Sequence, residues 1–326
     1  MPGERHSSAD VWVLADDRAG NVSQCLGVAE ALGRPYEVKA IRYDRLGALP
    51  NALRGRGLMG VAGESRVLLA PPWPRLVIAA GRRTAPVARW IKRRSGAFLA
   101  QIMDPGFPGR GDFDLIAVPV HDRPRVDSRL LPIIGAPHRV TAARLEAEAV
   151  AWRDRFAHLP RPWVAVIVGG ATRRRPFPVA MARALGERVA GLAAARGGSV
   201  LLTTSRRTGT GQERALAESL PGPCWPHLYS QGGDNPYFGF LALADAIVVT
   251  GDSVSMCCEA CASPAPVFIW APDGWVAAKH ARLHASLFER GIARPLEAAD
   301  SLAGWDRPRL DTAGDIARAI RERMGT

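Results

Sequence analysis

The fold of this chain is decided by a stretch in its second half, WVAVIVGGAT at residues 163–172. Its apolar run is typical of a buried strand, and the two glycines that follow predict a tight turn ahead of a helix over 178–196. The same order of strand, turn and helix recurs in SVLLTTSRRT at 199–208 and in AIVVTGDSVS at 246–255. Strands that alternate with helices in this way predict a parallel sheet with helices packed against it.

The first half shows the same alternation. Apolar runs that end in polar or glycine-containing turns predict strands at 11–15, 36–41, 76–80, 98–103, 115–119 and 131–135. The segment LPRP at 159–162 interrupts the pattern, so we place a domain boundary there. The sequence thus predicts an α/β protein with two Rossmann-like parallel-sheet domains that face a cleft, residues 1–158 and 159–310. A helix over 311–326 is expected to pack back on the first domain.

Composition places the chain among ordinary globular proteins. Hydrophobic residues make up 47% of its 326 residues and charged residues 23%, which argues against disorder. The sequence contains no run of the roughly 18–20 apolar residues that a membrane span needs. The N-terminus, MPGERHSSAD, carries charge where a signal peptide has its apolar core. We therefore expect a cytoplasmic protein.

The net charge of +12 implies anionic partners. Such a surplus attracts nucleic acid, acidic lipid headgroups or phosphorylated small molecules. Because the aromatic platforms that bind single-stranded nucleic acid are missing, we expect no nucleic-acid partner. The basic first half could instead lie against an anionic membrane, with the loop Leu58-Met59-Gly60-Val61 as a candidate contact. The oligomeric state is left open.

Cysteine and histidine spacing does not predict a metal site. The five cysteines are an odd set without paired ligand spacing, typical of free thiols in a reducing compartment: Cys25, Cys224, Cys257, Cys258 and Cys261. His280 and His284 are four residues apart on a predicted helix, but the sequence offers no third ligand beside them. We therefore expect neither a metal nor a cofactor.

Three strand-to-helix turns of the second half combine Gly, Ser and Thr. Small residues let a phosphate approach the backbone, hydroxyls donate to its oxygens, and the following helix start adds N–H groups and a positive dipole. The candidate phosphate- and nucleotide-binding residues are Gly169, Gly170, Thr172, Arg173, Ser205, Arg206, Arg207, Ser253, Val254 and Ser255. Each turn alone is more typical of an ordinary turn or helix cap, whereas three turns on one sheet edge favour an anion site.

Glu259 is a candidate ligand for a ribose. It lies four residues after Ser255, on the same side of the predicted helix. A carboxylate in that position can accept hydrogen bonds from two ribose hydroxyls. The simpler alternative is an acidic residue that stabilises the start of its own helix.

Several of these segments resemble the ELM (elongated-mitochondria) fission-factor family. The resemblance covers nearly the whole chain and rests on ADDRAGNVSQCLGVAEALG (15–33), QIMDP (101–105), GGATRR (169–174), LLTTSRRT (201–208) and, most distinctively, VTGDSVSMCCEA (249–260). Plant members of that family act in mitochondrial fission by recruiting a dynamin-related protein to the outer membrane. This chain resembles the bacterial members.

The family is in turn similar in layout to the GT-B glycosyltransferases, including the enzyme that adds N-acetylglucosamine to the peptidoglycan lipid precursor. That resemblance implies a nucleotide sugar held by the second domain and an acceptor held by the first. The implied roles are phosphate contact for Gly169, Gly170 and Thr172, nucleotide contact for Ser205, Arg206 and Ser253 to Ser255, ribose contact for Glu259, and a position on the acceptor and sugar side for Gly20, Asn21 and Gln101.

One residue departs from the transferase pattern. Asn21 stands where the first turn of those enzymes offers a catalytic His, and an amide cannot take a proton from an acceptor hydroxyl. Asp16, Asp17 and Asp104 are the candidate replacements because each ends or follows a strand. For Asp16 and Asp17, hydrogen bonding to the backbone of the following turn is the alternative.

Two function hypotheses follow from this reading. The first is a metal-independent GT-B-like glycosyltransferase that binds a nucleoside-diphosphate sugar, UDP-linked or similar, in the interdomain cleft and transfers the sugar to an acceptor, which could be lipid-linked. The second is a non-catalytic nucleotide-binding or recruitment protein of the same family. A nucleotide-sugar epimerase or dehydrogenase is set aside because the first turn is DDRAGN rather than GxGxxG and the chain has no YxxxK pair.

Overall fold

The computed structural model describes residues 10–124 and 127–326. The expectation that the N-terminus is not a signal peptide concerns residues 1–9 and so lies outside the described residues. The chain forms two compact units: the first extends to Arg139 and also takes in Asp311–Thr326, and the second is Val140–Leu310. Each unit contains a six-stranded parallel sheet, which confirms the α/β class and the two Rossmann-like sheets.

The strands of the two sheets are numbered along the chain. They are β1 (Val11–Ala15), β2 (Tyr36–Ala40), β3 (Leu76–Ala80), β4 (Phe98–Ile102), β5 (Leu115–Pro119), β6 (Leu130–Ile133), β7 (Trp163–Val168), β8 (Ser199–Thr204), β9 (Cys224–His227), β10 (Ala246–Thr250), β11 (Val267–Trp270) and β12 (Arg294–Pro295).

The α-helices are numbered in the same way. They are α1 (Ala19–Leu32), α2 (Asn51–Arg54), α3 (Gly63–Val67), α4 (Gly81–Ser95), α5 (Ala142–Phe156), α6 (Val179–Ala194), α7 (Thr210–Glu218), α8 (Tyr237–Leu243), α9 (Val254–Ala262), α10 (Ala278–Glu289) and α11 (Thr312–Met324).

The strand order of each sheet reverses once. The first sheet runs β2-β1-β3-β4-β5-β6, so the reversal lies between β1 and β3. The second runs β12-β11-β10-β7-β8-β9, with the reversal between β10 and β7. In open parallel sheets, ligands bind beyond the carboxyl ends of the strands at such a reversal. A ligand is therefore expected beside the turns that follow β1 and β3 in the first unit and those that follow β7 and β10 in the second.

The central strands are buried along their whole length. Every residue of β3, β7 and β10 is buried, because helices cover both faces of a parallel sheet and leave no polar side to the strand. This burial explains why these segments are continuous apolar runs. The edge strand β2 is different, since most of its residues are partly or fully exposed.

The boundary between the units differs from the one placed at 158/159. Helix α5 belongs to the second unit because its aromatic residues pack there: the ring of Phe156 lies 5.1 Å from that of Trp225 and 5.5 Å from that of Phe240. The proline segment at 159–162 is therefore a loop within the second unit, and the units divide between Arg139 and Val140.

Helix α11 forms part of the first unit. Ile316 and Ile320 lie in the same apolar cluster as Val11 and Ile78 of the first sheet. Within residues 10–124 and 127–326, no helix has both the length and the apolarity needed to cross a bilayer.

Candidate functional site

The three turns singled out in the second half lie side by side. They follow β10, β7 and β8, which are consecutive neighbours in the sheet. The N–H of Gly169 donates to Thr250 Oγ1 at 2.8 Å, and the hydroxyl of Ser205 donates to the carbonyl oxygen of Gly169. The N–H of Ala171 donates to the carbonyl of Arg207 at 3.0 Å. The carboxyl ends of the three strands thus form one continuous polar edge.

Both glycines of the first turn are required by close packing. Gly170 has a φ of +113°, in the region that disfavours L side chains, and a Cβ there would overlap the carbonyl of Arg207. A Cβ on Gly169 would overlap the carboxylate of Asp252. The GG pair is therefore explained by contacts between turns, whether or not a phosphate also approaches it.

An internal ion pair ties the turns together. Nη1 of Arg207 lies 2.6 Å from Oδ2 of Asp252 and also donates to the carbonyls of Gly170, at 3.3 Å, and Ala171, at 3.1 Å. Asp252 is only 5% exposed. The sequence analysis placed Arg207 among the phosphate contacts and gave Asp252 no role. In the structure, Nη1 of Arg207 holds the turns to each other.

Several backbone amides of these turns already have partners. The N–H of Thr172 donates to the carbonyl of Arg175, that of Ser205 to Thr208 Oγ1, and that of Arg207 to Ser205 Oγ. Thr172 and Arg175 close a short reverse turn whose arginines, Arg173 included, are exposed. These amides build the turns and are not offered to a ligand.

The first turn of α9 is different. Its N-cap, Ser253, accepts a hydrogen bond from the N–H of Met256 at 3.4 Å. The N–H groups of Val254 and Ser255 have no partner among the described residues, as is usual for the first turn of a helix. Two donors and the positive end of a helix dipole are therefore available beside the turn that follows β7.

A cavity of about 200 Å³ opens at the ends of β7 and β8. Its lining residues are Ile167, Val168, Thr203, Thr204, Ser205, Arg206, Tyr229, Asn235, Tyr237 and Met256. Of the residues expected to bind a nucleotide, Ser205 and Arg206 line this cavity.

Glu259 is paired within the chain. The hydroxyl of Tyr237 donates to Glu259 Oε2 at 2.5 Å. Burial raises the pKa of the Glu259 carboxyl, and the Tyr237 hydrogen bond and the charge of Arg144 offset part of that rise. Sequence reasoning missed Tyr237, whose pKa is raised well above its usual value by burial and by the Glu259 carboxylate. Tyr237 lines the cavity and so connects Glu259 to it.

In the first unit, Asp16 and Asn21 lie at the reversal between β1 and β3. Nδ2 of Asn21 donates to Asp16 Oδ2 at 3.4 Å, and the N–H of Arg18 donates to Asp16 Oδ1 at 3.1 Å. Gly20 is exposed in the first turn of α1. Gln101 is fully buried, and its Nε2 donates to the carbonyl of Gly81 at 2.8 Å.

The other two candidate bases are held by arginines. Asp17 is exposed and lies 2.6 Å from Nη1 of Arg83. Asp104 accepts hydrogen bonds from two guanidinium nitrogens of Arg110 and, at 2.9 Å, from the N–H of Gly106. Burial alone would raise the pKa of Asp104, but these hydrogen bonds outweigh it and lower the pKa. Asp16 is thus the one candidate base that forms no ion pair with the described residues.

The two histidines considered as metal ligands pack differently. The ring of His284 lies over Gly251, where a Cβ would overlap it. Burial and the neighbouring Lys279 lower the pKa of His280, while Asp252 acts in the opposite direction. Within residues 10–124 and 127–326, no three His, Cys, Asp or Glu side chains are grouped as a metal site would require.

Comparison with known sequences places residues 19–324 within the profile of the family described as "Mitochondrial fission ELM1". Mitochondrial fission protein ELM1 of Arabidopsis thaliana is 30% identical over 81% of this chain and 67% of its own length. An uncharacterised protein of Rickettsia prowazekii (strain Madrid E) is 28% identical over 96% of this chain and 98% of its own.

Solved structures share the fold at low sequence identity. The UDP-GlcNAc 2-epimerase of Methanocaldococcus jannaschii superposes with a TM-score of 0.59 at 12% identity, over 97% of this chain and 99% of that one. A UDP-glucosyltransferase of Polygonum tinctorium gives a TM-score of 0.50 at 11% identity, over 97% and 89%. One of these solved structures is an epimerase and the other a transferase, so the fold alone does not distinguish the two reactions.

Proposed function

This chain belongs to the mitochondrial fission ELM1 family, and from that premise we propose that its second unit binds a nucleoside-diphosphate sugar. The proposed reaction is transfer of the sugar to an acceptor hydroxyl without a metal ion. The anomeric carbon of the sugar would form a bond to the acceptor oxygen as its bond to the diphosphate oxygen breaks. The proton of the acceptor hydroxyl would pass to a base, and the nucleoside diphosphate would leave.

The observation that carries this proposal is the polar edge at the ends of β7, β8 and β10. The unpartnered N–H groups of Val254 and Ser255 and the wall residues Ser205 and Arg206 all lie along this edge. Helix N-termini and arginine are the usual partners of a diphosphate. Arg206, which is exposed, is the side chain expected to stabilise the leaving diphosphate.

Glu259 and Tyr237 supply the proposed ribose contact. The carboxylate of Glu259 has one oxygen engaged by the Tyr237 hydroxyl, at 2.5 Å, which leaves the other oxygen to accept a hydrogen bond from a ribose hydroxyl. Both solved proteins described above are named for UDP-linked sugars, which supports testing UDP-sugars first.

Asp16 is the proposed base. It is a carboxylate at the strand reversal of the first sheet, and it forms no ion pair with an arginine side chain among the described residues. The neighbouring Asn21 amide orients it and takes no proton.

The presence of Asn21 where transferases have His favours an alternative function. In that case the protein would bind a nucleotide sugar without turning it over and would serve as a recruitment factor.

Calorimetry with UDP-, GDP- and ADP-linked sugars tests the binding step. We expect one of them to bind and Glu259→Ala to weaken that binding about tenfold, the loss of one charge-assisted hydrogen bond. Glu187→Ala, an exposed glutamate of α6, is the matched control and should leave affinity unchanged. If no nucleotide sugar binds, the proposal fails.

Turnover separates the two functions. Release of free nucleoside diphosphate that disappears in Asp16→Asn, with binding retained, supports the transferase. Binding without release under all acceptor conditions supports the recruitment protein. Conversion of the sugar while it stays attached to the nucleotide would instead indicate isomerisation.

A further inference from the structure

A second polar cavity lies entirely within the first unit. It has a volume of about 500 Å³ and is bounded by the segment around α2, the first turn of α4 and the loop that follows β4. Four arginines line it: Arg18, Arg54, Arg82 and Arg83. None of the four was a candidate site residue in the sequence analysis.

Arg54 is the most unusual of the four because it is only 3% exposed. Its Nε donates to the carbonyl of Met59 at 3.2 Å and its Nη1 to that of Arg83 at 3.0 Å. Its Nη2 is buried and has no hydrogen-bond partner among the described residues, and no carboxylate there forms an ion pair with it. The ring of Tyr43, 5.0 Å from the guanidinium carbon, offsets only part of the cost of a buried cation without a counter-charge, so this position favours an anion.

The start of α4 adds to the positive potential. Arg82 and Arg83 lie in the first turn of this helix, which contains no acidic residue and has no side-chain cap. Cations at a helix N-terminus are destabilising because they add to the positive end of the helix dipole. A phosphate is the ligand that would reverse this effect, since it binds helix N-termini and arginine forks together.

The arginines of this cavity have few ion-pair partners among the described residues. Asp17, paired with Arg83, is the only carboxylate that forms an ion pair with any of the four arginines across residues 10–124 and 127–326. The side chain of Asn51 donates to the carbonyls of Arg82, at 2.9 Å, and Pro105, at 3.0 Å, and so connects the cavity walls. Three of the four arginines, Arg18, Arg54 and Arg82, thus form no ion pair with a carboxylate of the described residues.

We infer that this cavity is a phosphate-binding site, separate from the proposed nucleotide site and independent of it. Arg54 and Arg82 contact the phosphate oxygens, with the N-terminus of α4 behind them. Phe107, which lines the cavity, is 89% exposed and forms an apolar rim. The same phosphate chemistry can come from a soluble phosphorylated compound or from a lipid headgroup, and the apolar rim makes the second source worth testing directly. Of the loop considered earlier as a membrane contact, Val61 is 1% exposed and packs in the core, whereas Met59 is 45% exposed.

Pyrophosphate binding to the full-length protein, followed by calorimetry, tests the site. We expect Arg82→Ala to weaken binding about tenfold, because it removes a charge-assisted contact and little else. Arg54→Met should have at least the same effect, and Arg82, being exposed, keeps the test valid if that buried substitution prevents folding. Arg93→Ala is the matched control, since Arg93 is an exposed arginine at the other end of α4.

A parallel measurement identifies the source of the phosphate. Phosphatidylcholine vesicles with and without phosphatidic acid are sedimented with the wild-type protein and with the same variants. Binding that needs phosphatidic acid and is lost in Arg82→Ala but not in Arg93→Ala assigns the site to a lipid headgroup. Pyrophosphate binding with the same dependence, and no vesicle binding, assigns it to a soluble phosphate.

Three outcomes would overturn the inference. They are the absence of any binding by either probe, equal weakening by Arg82→Ala and Arg93→Ala, and pyrophosphate binding that is lost in Glu259→Ala but kept in Arg82→Ala. The last would place the anion in the second unit. Because the nucleotide proposal is tested by different ligands and a different variant, either proposal can fail without the other.

Discussion

At the scale of single residues, Asp252 stabilises the turns around it more than its place in a Gly-Asp-Ser turn indicates. Its buried carboxylate pairs with Arg207, and Arg207 bonds the carbonyls of the neighbouring turn. We expect Asp252→Asn to lower the free energy of unfolding by about 1–3 kcal/mol, less than for a fully buried pair because Arg207 is partly exposed. Urea unfolding measures the change.

The control for that prediction is Asp234→Asn. Asp234 also pairs with an arginine, Arg155, in the same unit, but both side chains are at least half exposed. Exposed pairs contribute little, so we expect a change within about 0.5 kcal/mol. Equal losses in the two variants would show that the Arg207 pair does not hold the turns.

Glu259 provides a prediction about pH. Burial raises the pKa of its carboxyl in the folded state, so over the interval above the unfolded value of about 4.3 the folded protein retains a proton that the unfolded chain has released. Stability contributed by this group therefore falls as the pH rises through that interval. Glu259→Gln removes the titration and can still accept the Tyr237 hydrogen bond.

We accordingly expect the unfolding free energy of Glu259→Gln, relative to wild type, to increase from pH 4 towards neutrality. Urea unfolding at a series of pH values measures the difference. Glu187→Gln, on the exposed face of α6, carries the same substitution as a control. A difference between Glu259→Gln and wild type that stays flat with pH would contradict the raised pKa.

Sequence reasoning found the residues of the polar edge but not their partners. Asp252 is 45 positions from Arg207, and Tyr237 is 22 from Glu259. Turn composition identifies a strand end as polar, but it does not say which side chains meet there, because that depends on the strand order. The order of β10, β7 and β8 in the sheet decides that Arg207 faces Asp252.

At the scale of elements, the continuous apolar strands were predictable and the two edge strands of the second sheet were not. β3, β7 and β10 match the predicted bounds because burial on both faces demands an unbroken apolar run. β9 (CWPH) and β12 (RP) were missed, since each contains a proline and neither shows such a run. The short helices α2 and α3 were missed as well, since four or five residues are too few to show a helical period.

Alanine substitutions at two glycines test whether the turn after β7 packs tightly against the carbonyl of Arg207. Gly170→Ala places a methyl group against the carbonyl of Arg207 at a φ of +113°, so we expect a loss of about 1–3 kcal/mol in unfolding free energy. Gly191→Ala, at an open position within α6, should raise stability by about 0.5–1 kcal/mol. Thermal or urea unfolding distinguishes the two signs. A neutral Gly170→Ala would mean that the turn can relax away from Arg207.

At the scale of the whole molecule, the sequence indicated two Rossmann-like halves but placed their boundary too late. Proline-rich segments mark loops, and nothing local distinguishes a loop between units from a loop within one. The packing of Phe156 with Trp225 and Phe240 assigns α5 to the second unit. These partners lie about 70 to 85 residues further along the chain, a distance at which periodicity carries no information.

The division into units predicts that core substitutions act locally. Ile316 of α11 is fully buried in the core of the first unit, and Leu185 of α6 is fully buried in the core of the second. Each truncation to Ala should cost about 2–5 kcal/mol. We expect Ile316→Ala to reduce hydrogen-exchange protection in β1 and β3 and to leave β7 and β10 unchanged, and Leu185→Ala to do the reverse. Loss of protection in both sheets from either variant would show that the units unfold as one, and then a single free energy of unfolding would describe the chain.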